Sequence, residues 1–134
     1  MEQTAPSVSS FQDLRAHGGG LYSSELSLVE CQAGLMKHSE EVLIRAEQQA
    51  LLIFRSFTLL PMDSRAIRLA QSLVRSYRRT LGLRSLDAIH VATAQLLNEE
   101  ILREPGEAPL LFLTADRRQF AAASAEGIMA RLVA

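Results

Sequence analysis

Apolar positions in this chain follow two alternating rhythms. Long stretches repeat them about every three to four residues, as one face of a helix requires, and short unbroken apolar runs lie between those stretches. The pattern predicts helices over about Ser10–His17, Ser27–His38, Glu40–Arg55, Asp63–Leu81, Ser85–Arg103 and Asp116–Ser124. Short strands are expected at Leu21–Ser23, Phe57–Leu60, Pro109–Leu113 and Ile128–Val133. Gly18 to Gly20, Pro61, Gly82, Pro105-Gly106 and Gly127 stand at the predicted boundaries, where glycine permits a left-handed turn and proline ends a regular element. Ser27, Asp63, Ser85 and Asp116 are the expected N-caps, with Glu30 and Gln119 three residues on as partners in capping boxes. Helices alternating with short strands predict one α/β domain spanning residues 1–134, an open parallel sheet covered by helices on both faces.

One helix start stands out chemically. In Ser85-Leu86-Asp87-Ala88-Ile89-His90-Val91-Ala92-Thr93-Ala94 a single carboxylate enters an almost wholly apolar helix. A charge taken out of water needs a polar partner, a cation or a metal ion. Glu30 and Asp116 occupy comparable places near other helix starts, and all three belong to the rim at the carboxyl ends of the strands, where α/β sheets collect ligands. Each residue taken alone is explained by capping or by the helix dipole. Together they predict a cleft of hard oxygen ligands suited to Mg²⁺ or Mn²⁺.

Composition narrows the class. With 48% hydrophobic and 22% charged residues among 134, the chain reads as an ordinary globular protein. No apolar run approaches the ~18 residues of a membrane helix, and the first ten residues lack the marks of a signal peptide, so a cytoplasmic location is expected. The single cysteine, Cys31, agrees with a reducing compartment and reads as a small hydrophobe, not a nucleophile. The histidines lack zinc-ligand spacing, and His90 reads as part of the core.

The net charge of −1 conceals an asymmetry. Between Asp63 and Asp87 there is no acidic residue, while Arg65, Arg68, Arg75, Arg78, Arg79 and Arg84 fall there. On a helix Arg68, Arg75 and Arg79 share one face, opposite a stripe of Ile67, Ala70, Leu73, Val74, Tyr77 and Leu81. Such a run is either a solvated face or an electrostatic footprint for a phosphate backbone or an acidic protein.

Three segments carry a family resemblance: Ser23 to Glu30, Gly82 to Ala94, and Leu113-Thr114-Ala115-Asp116-Arg117-Arg118. In order and spacing they resemble successive motifs of the PIN domain, and most of all the VapC toxins of bacterial toxin–antitoxin pairs. The likeness runs from about Leu21 to the C-terminus. It implies a three-layer α/β/α fold with a parallel sheet, and Mg²⁺ or Mn²⁺ held by Glu30, Asp87 and Asp116 for hydrolysis of RNA. It also implies an antitoxin partner and a homodimer. Thr114 matches a hydroxyl position beside the last carboxylate, and Arg65, Arg68 and Arg84 are expected to position the RNA backbone by charge.

Proteins of this type begin with a short apolar strand that ends in Asp and lies at the centre of the sheet. Here the only early aspartate is Asp13, inside a segment that reads as helix. The chain is therefore expected to start about twenty residues late, through a mistaken start codon or true truncation, with its metal site incomplete. Two functions follow from different classes. One is a metal-dependent ribonuclease, impaired as written; the other is a non-catalytic remnant that binds protein or RNA.

Overall fold

A computed structural model describes residues 20–133. The helix expected at Ser10–His17, and Asp13 with it, lie outside the described residues. The chain divides into two compact units between Pro61 and Met62.

The first unit contains β1 (Tyr22–Ser24), α1 (Leu26–Leu35), α2 (Glu40–Arg55) and β2 (Thr58–Leu60). The strands pair in parallel with Ser23 opposite Leu59. Bonds from Thr58 N–H to the Leu21 carbonyl at 2.7 Å and from Glu25 N–H to the Leu60 carbonyl at 2.9 Å extend that pairing at both ends. The cap on α1 is Glu25 and not the expected Ser27. The helix begins after Glu25, so Ser27 already lies inside it, and its hydroxyl is bonded to that of Ser23 at 2.6 Å. Glu30 accordingly sits beyond the first turn and forms no capping box. The start of α2 follows expectation, with Ser39 at the boundary and Glu40 and Glu41 at the positive end of the helix dipole.

The second unit holds α3 (Ser64–Leu81), α4 (Ser85–Arg103), β3 (Leu111–Thr114), α5 (Arg117–Ala125) and β4 (Met129–Leu132). β3 and β4 pair in parallel, Phe112 opposite Ala130. The buried core lies here, built from Leu73, Leu83, Ala88, Val91, Ala92 and Ala122 with their neighbours. Alanines on α4 and α5 let the elements approach closely, which explains why α4 is buried on nearly every side from Asp87 to Ala94. On α3 the apolar stripe is shifted: Ala66 is buried, whereas Ile67 is exposed, against expectation. The Tyr77 hydroxyl donates to Glu126 at 2.5 Å, tying the end of α3 to the end of α5. That bond to a carboxylate, together with burial, pushes the phenol up from its ordinary value.

Strand pairing gives two two-stranded parallel sheets, one in each unit, where a single sheet was expected. The central strand that the resemblance implies, and that the sequence is expected to lack, is not among the described residues, and within them β1 and β3 each have one strand neighbour.

The ends of α3 are set as the sequence predicts. The Asp63 carboxylate accepts the Ala66 amide at 2.9 Å, and Gly82 closes the helix at φ 69°. A Cβ at Gly82 would meet Arg118 Nε at 3.5 Å, an ordinary contact, so the obstacle to a side chain is backbone conformation. Gly82→Ala is expected to destabilise the protein by about 1–2 kcal/mol, read as a lower urea midpoint at unchanged slope.

Candidate functional site

Asp87 and Asp116 are the most deeply buried carboxylates among the described residues, 3% and 2% exposed. Asp87 occupies the third position of α4, where a side chain can reach back to the residue preceding the helix. Its Oδ2 accepts the backbone amide of Arg84 at 3.2 Å and the Arg84 Nε at 3.4 Å. Arg84 thus takes the N-cap position expected for Ser85. The reason is geometric: with Ser85 as cap, Asp87 would fall one residue short of the reach-back position.

Asp116 follows β3 directly and caps α5, as expected. Its Oδ1 accepts the amides of Arg118 at 2.8 Å and Gln119 at 3.2 Å. The other half of the expected capping box is replaced. It is Thr114 Oγ1, not Gln119, that accepts the Asp116 amide, at 3.0 Å.

Gln119, 1% exposed, turns elsewhere. Its Nε2 donates to Asp87 Oδ1 at 3.1 Å, and its Oε1 accepts the Thr114 hydroxyl at 2.9 Å. The direction of every bond follows from Asp87, because an ionised carboxylate only accepts. The amide nitrogen must face Asp87, the amide oxygen must face Thr114, and the Thr114 lone pair is left for the Asp116 amide. One neutral side chain therefore joins both carboxylates and the threonine.

A single oxygen stands outside this network. Asp116 Oδ2 is buried and has no hydrogen-bond partner among the described residues. An unpartnered carboxylate oxygen out of water is costly, and a hard divalent cation is a partner that offsets the cost. The chemistry at this atom fits such an ion. Among the described residues no three His, Cys, Asp or Glu side chains are grouped to hold one.

Glu30 is half-buried on α1 in the first unit, while Asp87, Asp116 and Thr114 share the second. Thr114 is buried and engaged with Gln119 and Asp116. Arg84 is bound to Asp87, and Arg65 pairs with Glu99 at 3.3 Å on the surface, whereas Arg68 is exposed on α3. His90 is buried one turn after Asp87. Cys31 lines an open groove between α1 and α2 with Leu28, Leu35, Ile44 and Phe54. Burial pushes its thiol up from the ordinary value, which disfavours the nucleophilic thiolate.

Sequence reasoning placed Gln119 only in a capping box and missed its bridge to Asp87. The spacing Thr114-x-Asp116-x-x-Gln119 was visible. A partner 32 residues away was not.

A family model described as PIN domain matches residues 5–125. Among curated proteins and among solved structures, none matches the chain.

Proposed function

The chain belongs to the PIN domain family, and from that premise we propose that it is a Mg²⁺- or Mn²⁺-dependent ribonuclease of the VapC toxin type. The observation that supports this reading is the buried pair Asp87 and Asp116, joined through Gln119 and leaving one carboxylate oxygen unpartnered. Asp116 Oδ2 would hold the ion, with Asp87 joined to it through Gln119, and Glu30 is a ligand that the resemblance alone implies. When bound, the ion would polarise a scissile phosphate and lower the pKa of a coordinated water that attacks it in line, expelling the 3′-oxygen. The chain's own contribution is to fix the ligand beforehand. Two amides on Oδ1 hold the Asp116 carboxylate in one orientation, so Oδ2 needs little reorganisation to accept a cation. Gln119 and Arg84 hold Asp87 from both sides without contributing a competing negative charge.

The proposal includes the partners that the resemblance implies: RNA as substrate, a small antitoxin protein and a second copy of the chain. A second reading, a non-catalytic module that binds RNA or protein, is favoured by one observation: both oxygens of Asp87 already accept N–H donors.

Metal binding separates the two. Millimolar Mn²⁺ is expected to raise the melting temperature by mass action on the folded state, through a stabilisation of about 2.7 kcal/mol at a hundredfold excess over Kd. EDTA should reverse the rise, and Asp116→Asn should abolish it. A melting curve indifferent to Mn²⁺ would count against the catalytic reading.

A further inference from the structure

The arginines of α3 divide into two groups. Arg65 pairs with Glu99, whereas Arg68, Arg75, Arg78 and Arg79 are exposed and have no carboxylate partner among the described residues. At about 100° and 1.5 Å per residue, Arg68, Arg75 and Arg79 lie within roughly 40° of one another and span about 16 Å along the helix. Ser72, also exposed, fills the gap in the row. The opposite face is pinned in the core by Ala66, Ala70 and Leu73, so the row faces outward.

The helix dipole explains only part of this row. Arg78 and Arg79 stand in the last turn, where cations are favoured, but Arg68 lies near the positive end, where they are not. No acidic residue falls between Asp63 and Asp87 to neutralise it.

The cations continue toward the carboxylates. Gly82 ends α3 with Arg118 alongside, and the Arg118 amide is bound to Asp116 Oδ1. Arg118 Nη1 is buried without a hydrogen-bond partner among the described residues. A planar guanidinium pairs with phosphate oxygens in a bidentate fork, and Arg118, half-buried, brings one to the end of the row.

We infer that the row Arg68, Arg75 and Arg79, continued by Arg118, binds the phosphate backbone of single-stranded RNA and leads it to the Asp87–Asp116 pair. This rests on the ribonuclease reading and adds to it the surface that holds the substrate. The row carries no aromatic side chain for base stacking and presents charge alone, so binding through it is independent of sequence.

The test is fluorescence anisotropy of a short labelled single-stranded RNA in EDTA, with KCl varied from about 50 to 200 mM. Each phosphate neutralised contributes roughly −0.7 to the slope of log K against log salt. The triple variant R68Q/R75Q/R79Q is expected to make the slope shallower by about 2 and to weaken binding equally for oligo-U and oligo-A. R68K/R75K/R79K should retain the slope, which separates loss of charge from loss of fold. Arg131→Gln, a cation on β4, should leave it unchanged. RNA binding whose slope the triple glutamine variant does not alter overturns the row and leaves the ribonuclease reading standing. Failure of the unaltered chain to bind RNA overturns both. Binding of polyglutamate in place of RNA, lost in the triple glutamine variant, would assign the row to an acidic protein and overturn the inference.

Discussion

Asp116→Asn is expected to lower RNA cleavage by a factor of about a hundred or more while leaving the protein folded. The two effects separate because the two oxygens of Asp116 have separate tasks. Oδ1 accepts the Arg118 and Gln119 amides, and an asparagine oxygen accepts them equally well, since Asn and Asp are comparable N-caps. Oδ2 has no partner among the described residues, so replacing it with an amide nitrogen breaks no hydrogen bond there. In metal-free buffer the variant should be as stable as the parent, because an incompletely compensated buried charge has been removed. Asp87 offers no such separation. All three of its bonds come from N–H donors, and an amide nitrogen at that position would face one of them. Parallel melting curves and cleavage rates check the prediction. An Asp116→Asn protein that unfolds in EDTA would show that capping, and not ligation, is what the carboxylate supplies.

Leu83→Ala is expected to cost about 2–5 kcal/mol. Leu83 is 0% exposed and follows Gly82 directly, entering the core where α3 ends and α4 begins. The alanine-rich surroundings are backbone-dense and have little freedom to close over a void, which places the cost toward the upper part of that range. Against a domain stability of roughly 5–15 kcal/mol this is a large share, and the urea midpoint should fall at constant slope. Leu51→Ala, on an exposed face of α2, should change the midpoint by less than about 0.5 kcal/mol.

The parts of this fold that local chemistry determines were legible in the sequence. Asp63 and Gly82 bracket α3, because one side chain caps and one backbone adopts the left-handed conformation. The burial of Asp87, the capping by Asp116 and the four strand positions were readable on the same basis, as was the parallel pairing. What escaped depends on partners distant in sequence. Ser27 and Ser85 are good caps by residue type, yet the bond of Ser23 to Ser27 and the reach of Asp87 to Arg84 place the boundaries elsewhere. Ile67 fits the apolar period by spacing, but Ala66 is the residue that α3 presents to the core. At the site, the carboxylates and Thr114 were legible as residues. Their connection through Gln119 was not, since a glutamine three residues after a cap has a local partner available and only tertiary packing directs it to Asp87.

Single-turnover cleavage of an end-labelled single-stranded RNA by this chain in millimolar Mn²⁺, with product ends identified, tests the proposed hydrolysis of RNA by a divalent ion held at the buried carboxylates. Expected is cleavage that yields 3′-hydroxyl and 5′-phosphate ends and disappears both in EDTA and in Asp116→Asn. No cleavage in Mn²⁺, or cleavage that persists in EDTA, would rule out a metal-dependent ribonuclease.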